Sequence, residues 1–160
     1  MCIRDSNKIK DPFIGLNETE LQWISDENWV YRKTISVDKN IFEMDFIFLR
    51  FQGLDTYATV FLNGNEILKT DNMFYAWEVN VKKFILKGDN KILIEFESPI
   101  QKILPKMKYM DYEFPADNDQ IKKTSPFTRK APYHYGWDWG PALATSGIWK
   151  PVEIFCYDSV

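Results

Sequence analysis

Between Trp29 and Tyr157 apolar side chains fall in short runs at alternate positions, the pattern of strands that bury one face. Trp29, Tyr31, Ile35 and Val37 share one face of a strand over 29–37, with Lys33 as the exception. Met44 to Gln52 is almost continuously apolar, which predicts a strand covered on both sides. Thr56 to Leu62 sets Ala58, Val60 and Leu62 against Tyr57, Thr59 and Phe61. Asn63-Gly64 then suits the tight turn of a hairpin leading into Glu66-Ile67-Leu68. An aromatic-rich strand is expected over 73–81, a turn at Lys87-Gly88-Asp89-Asn90, and an alternating strand over 91–97 with Ile92, Ile94 and Phe96. The last run, Gly147 to Tyr157, is interrupted by Pro151 and so belongs at a sheet edge or beside a bulge. Strands of this length, separated by turn residues, predict an all-β, antiparallel sandwich.

Helical patterning is confined to two places. Asn17 to Ser25 reads as a helix, with Asn17 as cap, Glu18 and Glu20 in the first turn, and Leu21 and Ile24 three apart. A second short helix is expected over 100–109 after Ser98-Pro99, interrupted by Pro105. The stretch from 98 to about 146 is long for a sandwich connection and holds Pro99, Pro105, Pro115, Pro126, Pro132 and Pro141. Connections of that length in compact domains are usually functional or mobile. The sandwich therefore reads as a scaffold for one specialised loop.

With 160 residues, 45% of them hydrophobic, the chain can form a domain with a real core. The net charge of −3, with both signs interspersed, argues against a nucleic-acid or membrane-surface partner. No apolar run is long enough to span a bilayer. Met1-Cys2-Ile3-Arg4-Asp5-Ser6 resembles a translated sequencing adapter, so residues 1–6 are set aside as a library scar and the domain is read over 7–160. Cys156 is then a lone thiol in a strand, expected to be reduced. One histidine and one credible cysteine make no ligand set with ordinary metal-site spacing, and no cofactor is expected.

The most distinctive segment is Tyr133-His134-Tyr135-Gly136-Trp137-Asp138-Trp139-Gly140-Pro141. If the backbone is extended there, the aromatics at 133, 135, 137 and 139 share one face. Flat rings beside an acceptor-rich carboxylate suit a sugar, which offers C–H faces to the rings and hydroxyls to Asp138. The same residues also suit a packed aromatic loop in which Asp138 bonds backbone N–H groups as a turn residue.

Several pieces, taken in order, carry a resemblance. They include Phe51-Gln52-Gly53-Leu54-Asp55-Thr56-Tyr57-Ala58, Phe61-Leu62-Asn63-Gly64, Asp71-Asn72-Met73-Phe74 with Trp77, and Gly88-Asp89-Asn90. Arg129-Lys130-Ala131, Gly136-Trp137-Asp138-Trp139-Gly140-Pro141 and Gly147-Ile148-Trp149 follow. Together they resemble the N-terminal sugar-binding domain of β-mannosidases in glycoside hydrolase family 2. Gly53-Leu54-Asp55-Thr56-Tyr57-Ala58 and Asn63-Gly64 resemble that whole hydrolase family, and the Trp-Asp-Trp piece, with Gly147-Ile148-Trp149 downstream, its β-mannosidase branch. The resemblance implies a galactose-binding-like jelly roll, preceded by a further strand or two upstream of Ile9. It also implies immunoglobulin-like domains and a (β/α)₈ barrel downstream, the barrel carrying the two glutamates of a retaining glycosidase. No catalytic residue is then expected in this chain.

Carried over by position, the resemblance makes Asp138 an acceptor for sugar hydroxyls and Trp137 a wall of the pocket, with Trp139 and Tyr135 supporting the loop. The expected partners are β-mannosides or manno-oligosaccharides and the barrel of the same chain. A stand-alone carbohydrate-binding module, or the equivalent domain of a family 2 β-galactosidase or β-glucuronidase, are the alternatives. Arg129 is expected either to pair with Asp138 or Asp119 or to lie solvated. Asn17-Glu18 imitates the family's catalytic dipeptide, but a helix start gives both residues a structural role. Trp29, Trp77, Trp149 and Phe74 are expected to anchor the core.

Overall fold

The computed structural model describes residues 8–119 and 122–159, so the adapter-like residues 1–6 lie outside the description. The chain forms two compact units, Met1–Glu27 with Ser98–Thr145, and Asn28–Glu97 with Ser146–Val160.

The second unit is the sandwich. Its strands are β1 (Trp29–Val37), β2 (Phe46–Phe51), β3 (Leu54–Asp55), β4 (Tyr57–Leu62), β5 (Asn65–Asp71), β6 (Trp77–Asn80), β7 (Gly88–Glu97), β8 (Gly147–Ile148) and β9 (Val152–Tyr157). They form sheets in the orders β1-β7-β4-β5 and β6-β2-β9, with β3 and β8 as a short pair. The pairings are antiparallel, and β1 lies against β7 from Trp29 opposite Phe96 to Val37 opposite Gly88. Alternate residues of both larger sheets meet in one core: Val37, Ile47, Leu49, Phe51, Ala58, Val60, Leu62, Ile94 and Phe96 are all buried. Burying each of the larger of these side chains contributes about 1.5–3 kcal/mol, which is why strict alternation decides the fold.

Positive φ at Asn63 and Gly64 closes the β4–β5 hairpin as the dipeptide predicts. Pro151 separates β8 from β9, and β9 is an edge strand. Other expectations need correction. β2 buries only one face; the other carries half-exposed Phe46, Phe48 and Arg50, with Phe48 stacked on Phe155 of β9 at 5.1 Å and Arg50 over the Phe155 ring at 4.5 Å. The strand expected over 73–81 is confined to Trp77–Asn80, because Asn72 accepts from Phe74 N in a side-chain-closed turn. Phe74 is therefore exposed rather than core. Trp29 and Trp77 do pack on the core, whereas Trp149 stays half-exposed and donates from Nε1 to Met73 O at 3.0 Å. A short helix α3 (Lys39–Glu43), capped by Asp38, was not foreseen.

The expected turn at 87–90 is shorter than the sequence suggests, because β7 already starts at Gly88. Asn90 explains this. It is fully buried, its Oδ1 accepts from Leu86 N at 2.7 Å and Asn63 Nδ2 at 2.8 Å, and its Nδ2 donates to Leu86 O and Gly88 O. One side chain thus ties the 86–88 turn to the β4–β5 hairpin. Asn90→Ala leaves these polar atoms unmatched in the interior and is expected to cost about 2 kcal/mol, measurable by urea denaturation of the purified chain.

The first unit contains α1 (Asn17–Glu20), α2 (Trp23–Asp26), α4 (Pro99–Met107) and 3₁₀ turns at Ser125–Phe127 and Pro132–Tyr135. The single helix expected over 17–25 is two one-turn pieces. Asn17 lies inside the first of these rather than capping it, and its Nδ2 donates to Asp11 O at 2.8 Å. That is a structural role, as expected for the Asn17-Glu18 pair. α4 begins as predicted, with Ser98 Oγ accepting from Gln101 N and Pro99 in the first turn, and continues through Pro105. Ser98 Oγ also donates to Ser25 O at 2.6 Å, which joins the two separated segments of the unit. The long connection is thus more than a loop: Ile100, Tyr135 and Ala144, with Leu104 against them, give it a core of its own.

Candidate functional site

The aromatic segment is not extended. Pro132 starts a 3₁₀ turn to Tyr135, with His134 N donating to Ala131 O and Gly136 N to Tyr133 O. Trp137 and Gly140 then pair as an isolated antiparallel bridge, with Gly140 N on Trp137 O at 3.3 Å. Asp138 and Trp139 occupy the centre of that tight turn. The expected common face of four aromatics is therefore replaced by a division of labour. Tyr135 is 6% exposed and belongs to the core of the unit, while Tyr133, Trp137 and Trp139 are exposed. Trp137 and Trp139 meet edge to face at 6.0 Å and 88°, and Trp139 is 83% exposed.

Asp138 is exposed between these two indoles. It makes no hydrogen bond or ion pair with the described residues, so the turn-residue reading, with its carboxylate on backbone N–H groups, is not realised. Nor does it pair with Arg129. Asp119 plays the backbone role instead. It is buried and accepts from Ser125 N at 2.9 Å, Lys122 N at 3.2 Å and the Thr124 hydroxyl.

Three further residues support the turn and were not singled out from sequence. Gly136 has φ +141°, and a Cβ there would lie 2.3 Å from Asn118 O. Lys130 is 3% exposed and donates from Nζ to Thr145 O at 2.7 Å, which ties the approach to the turn to the segment leaving it. Gln22 Nε2 donates to both Glu18 O and Ala142 O. In the sequence Lys130 stands out only as part of the Arg129-Lys130-Ala131 piece of the resemblance, which does not disclose that its ammonium is buried against a fixed acceptor. The result is an exposed acceptor and two exposed ring systems on one braced turn, suited to hydrogen-bonding hydroxyls and to contact with C–H faces. Among the described residues no group of three or more His, Cys, Asp and Glu side chains is placed to hold a metal ion.

Comparisons with known proteins agree with this architecture. The β-D-mannosidase of Dictyoglomus thermophilum is 41% identical, with a TM-score of 0.90 over 98% of this chain and 19% of that one. The exo-chitosanase of Amycolatopsis orientalis shares the fold at 18% identity and a TM-score of 0.66, over 98% of this chain and 16% of its own. Beta-mannosidase B of Aspergillus clavatus is 39% identical over 97% of this chain and 18% of its own length, and that of Emericella nidulans 38% over 98% and 18%. The chain thus spans less than a fifth of the length of these curated relatives. The family model described as glycosyl hydrolase 2 galactose-binding domain-like matches residues 3–150, and the chain belongs to that family.

Proposed function

We propose that this chain is the accessory sugar-binding domain of an exo-acting, retaining β-mannosidase that removes terminal non-reducing β-D-mannose residues. In this reading Trp137-Asp138-Trp139 completes a substrate pocket whose two catalytic glutamates lie in a barrel outside this chain. The observation that carries it is the Asp138 carboxylate, exposed and without a partner among the described residues, on the same turn as two exposed indoles and braced by Gly136 and Lys130. The 41% identity to a β-D-mannosidase favours this branch, whereas the likeness to the exo-chitosanase is one of fold.

Two assays test it. The 160-residue chain alone is expected to give no turnover of an aryl β-mannoside, since retaining chemistry needs two carboxylates placed across the glycosidic bond. Turnover above an empty-vector control would refute an accessory role. Conversely, a chimaera in which this chain replaces the matching domain of the Dictyoglomus enzyme is expected to retain β-mannosidase activity. A folded but inactive chimaera would count against the β-mannosidase branch.

A further inference from the structure

The first unit also has a concave feature formed by residues other than those of the Trp-Asp-Trp turn. It is a cleft of about 460 Å³ lined by Tyr112, Phe114, Phe127, Asp111, Glu113 and Lys123, among others. Its volume lies within the range of small-ligand sites, roughly 300–1,000 Å³. The three rings hold one another crosswise: Tyr112 meets Phe114 at 4.9 Å and 78°, and Phe114 meets Phe127 at 5.2 Å and 74°. Rings fixed in this way have little freedom left to lose on binding, yet Tyr112 and Phe114 remain exposed.

The polar wall is also built. Glu113 and Lys123 pair at 2.8 Å, and the Lys123 hydrogen bond and charge hold the Glu113 carboxyl below its ordinary range. Lys123 sits at φ +55°, a left-handed conformation uncommon for a residue with a side chain. The turn that imposes it is anchored by buried Asp119 through Lys122 N and Ser125 N. Asp111 and Glu113 balance Lys122 and Lys123, so the cleft has no excess of either sign. That favours a neutral ligand over a phosphate or a polyanion. A carboxylate beside an ammonium matches a vicinal diol, which donates to one and accepts from the other, while the rings take its C–H face.

From these features we infer that the cleft is a second carbohydrate-contacting subsite, taking a neutral hexose unit by ring stacking on Tyr112 and Phe114 and by the Glu113–Lys123 pair. It rests on the reading of this domain as sugar-binding, and extends it to longer saccharides.

The test is a titration of the ¹⁵N-labelled 160-residue chain with β-1,4-mannotriose to about 10 mM, enough to populate a site of millimolar Kd. Saturable shifts at the amides of Tyr112, Glu113, Phe114 and Lys123 are expected. Tyr112→Ala should weaken them about five- to tenfold without altering distant resonances. Glu113→Gln, which keeps the shape and removes the charge, should weaken them as well. Shifts only at residues 137–140 would overturn the second subsite and leave the Asp138 reading standing. Shifts only in the cleft would support the subsite, and the Asp138 reading, which needs the barrel, stands or falls on the kinetics of the full-length enzyme. No shifts in the cleft would overturn the subsite. Broadening of the cleft resonances with protein concentration, in the absence of sugar, would mark a protein-contact surface and overturn the proposal.

Discussion

Asp138→Ala in the full-length enzyme is expected to lower kcat/KM about ten- to a hundredfold with no change in thermal midpoint. On the proposed reading, each charge-assisted hydrogen bond from a sugar hydroxyl to this carboxylate contributes roughly 1.5–3 kcal/mol, and losing one or its equivalent gives that factor. The midpoint is expected to hold because Asp138 bonds nothing within the described chain, so truncation strands no partner. Asp138→Asn should restore only part of the activity, since the amide keeps one acceptor and loses the charge. Both measurements belong on the same preparations. Unchanged kinetics with a depressed midpoint would return the turn to a purely structural role.

Gly136→Ala is expected to act in the opposite sense, on stability first. At φ +141° and ψ 154° the backbone occupies a region open essentially to glycine, and the added methyl would press on Asn118 O at 2.3 Å. A backbone oxygen cannot swing aside as a flexible side chain can, so strain and clash add, to about 3–4 kcal/mol. For a chain of this size that lowers the melting temperature by roughly 10 °C. Gly64→Ala is the matched control. Its φ of +85° is also unfavourable, but nothing lies within 4 Å of the new Cβ, so only the conformational cost of about 1 kcal/mol applies. Equal losses in the two variants would show that the Asn118 contact can relax.

The sandwich was legible because burial on one face writes itself into the sequence as alternation: β1 spans 29–37 as read, and the Asn63-Gly64 hairpin falls where its dipeptide requires. What escaped was set by individual side-chain bonds to backbone, some only two to four residues away, which leave no periodic signal in the sequence. Asn72 and Asn90 look like ordinary turn residues, yet one delays the start of a strand and the other lets a strand begin early through bonds to backbone. Alternating aromatics at 133–139 imitate a strand, but Pro132 opens a 3₁₀ turn and Gly136 departs from it, so the period of two carries no geometric meaning there. Trp137, Asp138 and Trp139 were legible as a chemical set. Gly136 and Lys130, which brace them, were not, because their contacts at Asn118 and Thr145 lie 18 and 15 residues away (136 − 118 and 145 − 130).

The first unit is assembled from two stretches with the 28–97 stretch of the sandwich threaded between them. Gln22 reaches Ala142 across 120 residues, Gln101 reaches Asp26 across 75, and Ser98 reaches Ser25 across 73. Loop-closure entropy must be met before any of these bonds forms, and contacts of such span slow folding. On the ribosome, α2 must therefore wait for its bonds to Ser98 and Gln101 until α4 has emerged, and Gln22 waits longer still for Ala142. The Trp-Asp-Trp turn consequently acquires its shape late in synthesis, and substitutions at the residues that brace it, Gly136 and Lys130, should reduce the yield of folded protein in cells, whereas Asp138→Ala should not.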